Sequence, residues 1–586
     1  MHPDAAVRDA GRAASEAADQ WFNAFRLDRR VYALLRPVPG EDVDATTRFA
    51  RDKMLREMRR AGVELEAAAR ERAEALANEI DALSNEFQAN IVRHPRTIDL
   101  ASSDDLDGLP EDFCRSHPPS ADGRIVLTTA YTDVLPVLAF ARKGAVRRET
   151  LLAFHNRAFP ENLAVLDRLL ARRFELARLL GYPTWAAYAI EDKMMGSTAN
   201  ARSFLRRMAE TLGPGARGDL TRFLERKRAD DPTASRLEPW DVGPWSAEGY
   251  YDQLVRREGY GVDSQLLRDY FPYERVRNGL FALCRELFGL AVVPVRAPAL
   301  WHPDVEAYDL ERDGRPVGRF YLDLAPREGK YEHAAQFDVR SGLAGVQLPQ
   351  AALVCNFLDP GRPLQTRMRH SDVVTFFHEF GHLLHALLAG HGRRIYHLPS
   401  QIEWDFIEAP SQLFEEWAMD PESLATFARH AVTGAPIPAE LVARLRGAET
   451  VGRAMRWLTQ TAAAAVSLDL YDRDPAGLDT TRAFREVFDR LSPIPIAEGA
   501  HFQCAWGHLA GYSAVYYTYA WSMVIARDLL SPFAARGTIL DRATAERYAR
   551  TILEPGSSKP AGELVRDYLG REFRFTAFEQ WVAGDR

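Results

Sequence analysis

Apolar positions recur with helical spacing through most of this chain. Ala5–Arg36 and Val43–Arg93 carry apolar residues on one side and charged residues on the other. This pattern predicts two long amphipathic helices, the second kinked near Gly62. A stretch rich in Pro, Gly and Asp breaks the pattern before residue 124, after which helical spacing returns. We therefore expect a mainly α fold, with an N-terminal helical region at residues 1–123 and a second region at residues 124–586.

The pattern changes between residues 291 and 357 to short runs rich in β-branched and alternating apolar residues. Val305–Leu310, Val317–Leu324 and Gly345–Phe357 are predicted to form a small β-sheet. We expect Gly345–Phe357 to offer an exposed edge, because such an edge binds an extended peptide of any sequence through main-chain hydrogen bonds.

The segment Val373–Leu388 is apolar on nearly every side, which predicts a helix buried in a large protein. Ser371 or Asp372 is expected to cap its N-terminus, and Gly390 is expected to end it in a left-handed conformation. A loop rich in Gly and His, Gly390–Ser400, follows and allows the next helix to pack against this one.

Three polar side chains interrupt this apolar helix, namely His378, Glu379 and His382. Burying them is costly unless they have partners. Two histidines four residues apart project from one helix face and can bind a single Zn²⁺. Glu379 lies beside them, where a carboxylate acts as general base on a metal-activated water. His385, one turn further on, is interpreted as a packing or supporting residue.

A third metal ligand has to come from another segment, and the acid-rich stretch Glu403–Gln412 follows closely. Glu408 is the preferred candidate there. It shares a helical face with Asp405 and Gln412, and both are expected to orient ligands. Two histidines and one carboxylate form a known ligand set for catalytic zinc.

Several blocks of the sequence resemble the thimet oligopeptidase/neurolysin family, which also includes bacterial oligopeptidase A and dipeptidyl carboxypeptidase. In chain order these blocks are Leu237–Val242, Phe320–Phe337, Ala352–Phe357, Val373–Leu384, Asp405–Gln412 and His508–Trp521. The resemblance implies a zinc-dependent oligopeptidase. It also implies two helical lobes flanking a deep substrate channel, with a small β-sheet near the zinc site.

The resemblance implies functions for individual side chains. Tyr519 is expected to stabilise the oxyanion that forms during hydrolysis, and Tyr512 is expected to support it. His508 is expected to contact the substrate. The remaining implied residues are His378, His382 and Glu408 as ligands of one Zn²⁺ per chain, with Glu379 as the general base. Two alternatives stay open: a carboxypeptidase of the same family that releases dipeptides, and a non-catalytic zinc protein that binds peptides.

The composition of the chain limits the classes of partner that we expect it to bind. The chain has 586 residues, of which 46% are hydrophobic and 27% charged, the balance of a globular domain. A net charge of −8 argues against binding to nucleic acid or to an anionic membrane. The sequence shows neither a secretory signal nor a long apolar run, and its four cysteines lack metal-type spacing. We expect a cytoplasmic protein with reduced thiols, and the family resemblance implies a monomer that acts on short peptides.

Overall fold

The computed structural model describes residues 2–36, 43–243, 249–296, 300–331, 333–359, 362–392 and 401–584. Helices dominate, which confirms the mainly α class. The first series of helices comes before the main sheet in the chain. It comprises α1 (Ala5–Arg26), α2 (Arg29–Leu35), α3 (Ala45–Ala61), α4 (Ala67–Arg93), α5 (Glu111–Ser116), α6 (Tyr131–Phe140), α7 (Gly144–His155), α8 (Glu161–Leu179), α9 (Trp185–Glu191), α10 (Thr198–Asp230), α11 (Tyr250–Tyr260), α12 (Ser264–Leu267) and α13 (Tyr273–Phe288).

A second series of helices follows the main sheet. None of the helices within the described ranges is long and apolar enough to cross a membrane. The second series comprises α14 (His370–Ala389), α15 (Glu408–Phe414), α16 (Pro421–Phe427), α17 (Ala439–Ala448), α18 (Arg453–Tyr471), α19 (Thr480–Leu491), α20 (Phe502–Ala505), α21 (His508–Gly511), α22 (Thr518–Leu529), α23 (Ser531–Ala534), α24 (Arg542–Tyr548), α25 (Ala561–Leu569) and α26 (Thr576–Ala583).

Both long helices predicted near the N-terminus are divided in two. The first is divided because the Asp28 side chain accepts a hydrogen bond from the Arg30 N–H and starts α2 as a new helix. The second is divided at Gly62, which adopts φ 104° and closes α3 in a left-handed conformation. Gly62 is therefore a break and not a kink.

The strands form two separate sheets. A small antiparallel pair joins β1 (Thr97–Leu100) to β2 (Ile125–Thr128). The main sheet has the order β3-β4-β5-β7-β6, and its β5–β7 pair is parallel while its other pairs are antiparallel. Its strands are β3 (Leu290–Pro294), β4 (Glu306–Arg312), β5 (Arg315–Asp323), β6 (Ala335–Arg340) and β7 (Gln350–Val354).

The strand predicted at Gly345–Phe357 is only partly correct. It contains β7, which lies inside the sheet between β5 and β6 and therefore offers no free edge. Gly345 itself adopts φ 72° in a turn. The edge on this side is β6, which was not predicted although its six residues alternate between apolar and polar. β4 and β5 confirm the other two predicted strands.

Two large hydrophobic cores organise the chain. The first gathers side chains from α4, α8, α10, α18 and α19, and the second gathers side chains from α13, the main sheet, α14 and α15. Helix α4 belongs to the first core through Leu76, Ile80, Leu83 and Phe87. The chain passes from the first core to the second after α11 and returns at α18. The predicted division at residue 123 stays a prediction.

Helix α14 begins one residue earlier than its predicted cap. Arg369 is the N-cap, and the Asp372 side chain accepts from the Arg369 N–H at 3.1 Å, so Asp372 supports the cap from inside the helix. Gly390 follows the helix with φ −66° and is therefore not left-handed, contrary to expectation. The end of the loop predicted at Gly390–Ser400, residues 393–400, lies outside the described residues.

Candidate active site

The structure brings together the three predicted metal ligands. The Nε2 atoms of His378 and His382 each lie 3.2 Å from Oε2 of Glu408. The candidate ligand atoms all lie within 4.8 Å of one another. The two histidines come from consecutive turns of α14, and Glu408 is the first residue of α15.

A glycine inside α14 allows this convergence. A Cβ atom on Gly381 would lie 2.8 Å from Ser411 Cα and 2.9 Å from Phe414 Cβ, both on α15. These distances are shorter than van der Waals contact, so any side chain at this position would push the two helices apart. Gly381 therefore sets the spacing at which Glu408 reaches the histidines.

Glu415 orients the first histidine. Its Oε1 lies 2.7 Å from Nδ1 of His378. If Nδ1 donates to this carboxylate, Nε2 is left as the atom that faces Glu408 and a metal. The sequence reasoning did not assign this role to Glu415. The available signal was its spacing of two helical turns from Glu408, which places both carboxylates on one face.

Hydrogen bonds and charges within the cluster shift the pKa values of its residues. Burial opposes ionisation of Glu408, but hydrogen bonds from His378 and His382 outweigh it and hold the Glu408 pKa well below its usual range. Burial likewise opposes charge on His378, whereas hydrogen bonds to Glu408 and Glu415 raise its pKa well above its usual value. The metal-free cluster therefore stores a proton that a bound cation would displace.

Glu379 is 7% exposed, and the charges of His378 and His382 act on its carboxylate. Its Oε2 atom is buried and has no hydrogen-bond partner among the residues that the structure describes. Burial raises the Glu379 pKa, and the two neighbouring histidines counteract this only in part. A buried carboxylate oxygen with a free lone pair is suited to accept a proton from water.

The aromatic residues predicted near the substrate lie beside the cluster. The Tyr512 hydroxyl donates to Oε1 of Glu408 at 3.2 Å, and the Tyr519 hydroxyl lies 3.3 Å from Nε2 of His508. The Tyr512 and Tyr519 rings stack with centroids 5.4 Å apart. Burial lowers the pKa of His508 to about 3, so the ring is neutral.

The expected roles of Asp405 and Gln412 are wrong. Asp405 lies before α15, and its carboxylate accepts from the backbone N–H groups of Met194 and Met195, both at 3.0 Å. Gln412 donates to the backbone carbonyl of Tyr519 at 3.1 Å. Asp405 therefore fixes the segment before Glu408, and Gln412 fixes the helix that carries Tyr519.

His385 matches the packing interpretation. It is 1% exposed, and neither ring nitrogen has a partner among the described residues. Burial lowers its pKa to about 3, so the ring is neutral.

The donor set fits a catalytic metal. Two imidazole nitrogens and one carboxylate oxygen converge within reach of one ion, which is the ligand type and number of catalytic zinc sites. Glu415 supplies the carboxylate partner that metal-binding histidines usually have.

Comparison with known proteins gives the family. The family model described as Peptidase family M3 matches residues 137–583, so the chain belongs to this family and is a metallo-oligopeptidase. It is 29% identical over 541 residues to the thimet-like oligopeptidase of Dictyostelium discoideum, covering 90% of this chain and 80% of that protein. It is also 29% identical over 569 residues to oligopeptidase A of Escherichia coli strain K12, covering 92% and 82%.

Solved structures support the fold. The chain is similar to PZ peptidase A in complex with an inhibitor, with a TM-score of 0.60, 13% identity, and coverage of 100% of this chain and 88% of that one. It is also similar to a Pyrococcus furiosus carboxypeptidase, with a TM-score of 0.55, 12% identity, and coverage of 99% and 93%. At these identities the likeness concerns the fold alone.

Proposed function

We propose that this peptidase is zinc-dependent and hydrolyses short, unstructured peptides with Glu379 as general base. The observation that carries the proposal is the convergence of His378, His382 and Glu408, with the free Oε2 of Glu379 beside them. These three residues would hold the zinc ion. When bound, zinc lowers the pKa of water and polarises the substrate carbonyl.

The chain's own residues carry the proton and the charge. Glu379 takes a proton from the attacking water and delivers it to the departing amine. Tyr519 donates a hydrogen bond to the oxygen that becomes negative, and Tyr512 supports it. The two rings stack, which limits their movement. His508 Nε2 lies 3.3 Å from the Tyr519 hydroxyl, and as the Nε2–H tautomer it would donate to the hydroxyl oxygen and leave the Tyr519 hydrogen free for the substrate.

The substrate is proposed to enter between the two hydrophobic cores. Tyr512 and Tyr519 pack against the first core, whereas α14 and α15 belong to the second. Strand β6 ends the main sheet, so its outer edge can pair with an extended peptide. Burial raises the Glu379 pKa, and a backbone hydrogen bond from Gln336 of β6 is among the contributions that oppose this shift, which supports a position of the strand near the base.

We further propose a cytoplasmic location. One relative, from Arabidopsis thaliana, is named a probable cytosolic oligopeptidase A and is 30% identical over 553 residues.

A quenched fluorescent peptide assay tests the proposal. The wild-type protein should cleave the peptide, and a chelator should abolish cleavage until zinc is restored. Glu379→Gln should retain one zinc per chain and lose about 10²–10⁴-fold in kcat, because only the base is removed. Glu408→Ala should lose zinc as well. Metal content is measured by mass spectrometry. The control is Glu486→Gln, because the Glu486 side chain is exposed on the outer face of α19. Zinc-independent cleavage, or normal turnover by Glu379→Gln, would refute the mechanism.

A further inference from the structure

Exposed apolar side chains cluster around the edge strand beside Glu379. Tyr331, just before β6, is 44% exposed, and Phe337 and Val339 of β6 are 36% and 51% exposed, with the Tyr331 and Phe337 rings 5.6 Å apart. Large apolar groups that are exposed together mark binding surfaces, whereas single ones do not. The position of this cluster along β6 points to the peptide itself as the occupant.

Rings from both sides of the site meet in this cluster. His333 lies with its ring centroid 5.4 Å from Tyr331 and 5.1 Å from Tyr131. Tyr331 also contacts Phe337 of β6 at 5.6 Å. Tyr131 begins α6 and rests on Phe154 of the first core at 5.4 Å. The contact between Tyr131 and His333 therefore joins the first core to the segment that leads into β6.

The ring cluster interacts electrostatically with the reacting groups. Partial desolvation, followed by the charge of Glu379, raises the pKa of Tyr331. On the opposite side, burial followed by His333 lowers the pKa of His508. The rings thus lie within electrostatic reach of the general base and of the residue that holds Tyr519.

A buried lysine holds the segment that carries Tyr331. Lys330 Nζ donates to the backbone carbonyls of Asp323, Ala325 and Cys355 at 2.9, 2.8 and 2.6 Å. It also pairs with Asp323 Oδ1 at 2.9 Å. Tyr331 and His333 therefore project from an anchored segment, as a defined subsite requires.

We propose that Tyr131, Tyr331 and His333 form a subsite that selects an aromatic side chain of the peptide next to the scissile bond. The proposal rests on the peptidase function proposed above and assigns residues to its specificity. Aromatic rings at these separations offer faces and edges to a further ring.

Paired peptides test the subsite. Two quenched fluorescent series place Phe or Ala on either side of the scissile bond, and the ratio of kcat/KM for Phe over Ala is measured. Wild type should favour Phe by about tenfold in one series, the discrimination expected of an apolar pocket. Tyr331→Ser should reduce this ratio to near one, and Tyr331→Phe should restore it. Phe22→Leu, an exposed ring on α1, is the control and should keep the wild-type ratio.

The outcomes separate the subsite from catalysis. Equal cleavage of Phe and Ala peptides by wild type would overturn the subsite while leaving the peptidase proposal intact. An equal loss on both peptides in Tyr331→Ser would indicate a merely structural role and would also overturn it. Absence of cleavage would overturn the function itself. Fluorescence anisotropy with Glu379→Gln then measures the Phe preference without turnover, so the subsite is still decided.

Discussion

Glu415 shows how a single carboxylate can position a metal ligand without touching the metal. It lies 2.7 Å from Nδ1 of His378 and selects the nitrogen that faces the site. Glu415→Ala should therefore lower zinc affinity by about 10–100-fold, the usual cost of removing such a partner. The affinity is measured by competition with a chromogenic chelator. The exposed variant Glu486→Gln should bind zinc normally, and equal affinities for both variants would contradict the role.

Asp405 is a buried carboxylate that makes stability depend on pH. Burial raises its pKa to about 6, from 3.8 in an exposed carboxyl, although hydrogen bonds from Met195 and Met194 oppose the shift. An acid whose pKa is raised by folding binds more protons in the folded state than in the unfolded state between pH 3.8 and about 6. Its contribution to stability is therefore largest below pH 4 and falls by up to ~3 kcal/mol as pH rises through 6.

The variant Asp405→Asn isolates this effect. Asparagine does not titrate, so the stability of wild type relative to Asp405→Asn should decrease from pH 4 to pH 7, as measured by denaturant unfolding of the metal-free proteins. Asp541 should change stability with pH in the opposite direction, because hydrogen bonds from Thr544 lower its pKa. The advantage of wild type over Asp541→Asn should grow as pH rises. A pH-independent difference for Asp405→Asn would show that this carboxyl titrates normally.

At the scale of elements, the packing of α14 on α15 depends on Gly381. A methyl group there would meet Ser411 and Phe414 at less than 3 Å. Gly381→Ala should destabilise the protein by about 1–3 kcal/mol through overpacking and should weaken zinc binding, because Glu408 moves with α15.

Gly218 provides the matched control. It lies in α10 with open space around its added Cβ atom. Gly218→Ala should therefore stabilise the protein by about 0.5–1 kcal/mol, since alanine favours a helix. Thermal unfolding measures the stability of both variants, and zinc titration measures their affinity for the metal. If Gly381→Ala binds zinc as tightly as Gly218→Ala, the spacing of α14 and α15 does not control the site.

The elements that the sequence predicted best are those with a strong local pattern. The apolar run of α14 and its HExxH spacing identified His378, Glu379 and His382. Strand β6 was missed although apolar Ala335, Phe337 and Val339 alternate with three polar residues, so its signal was present but short. The role of Asp405 was misassigned because it depends on Met194 and Met195, which are distant in sequence. Contacts of this kind have no local signature.

At the scale of the whole molecule, the candidate metal site lies where two hydrophobic cores meet. Helices α14 and α15 belong to the second core, and Tyr512, which donates to Glu408, packs against the first. A bound metal stabilises only the folded arrangement of these elements, by about 4 kcal/mol when its concentration is a thousandfold above Kd. Its removal should therefore lower Tm as well as activity.

Calorimetry with and without a chelator measures this coupling. The Tm of wild type should fall on chelation, whereas Glu408→Ala, which lacks a ligand, should show no chelator-dependent shift. The wild-type shift should be smaller at pH 5 than at pH 7.5, because hydrogen bonds to Glu408 and Glu415 raise the pKa of His378 and protons then compete with the metal. An equal shift in wild type and Glu408→Ala would mean that the stabilising metal binds elsewhere.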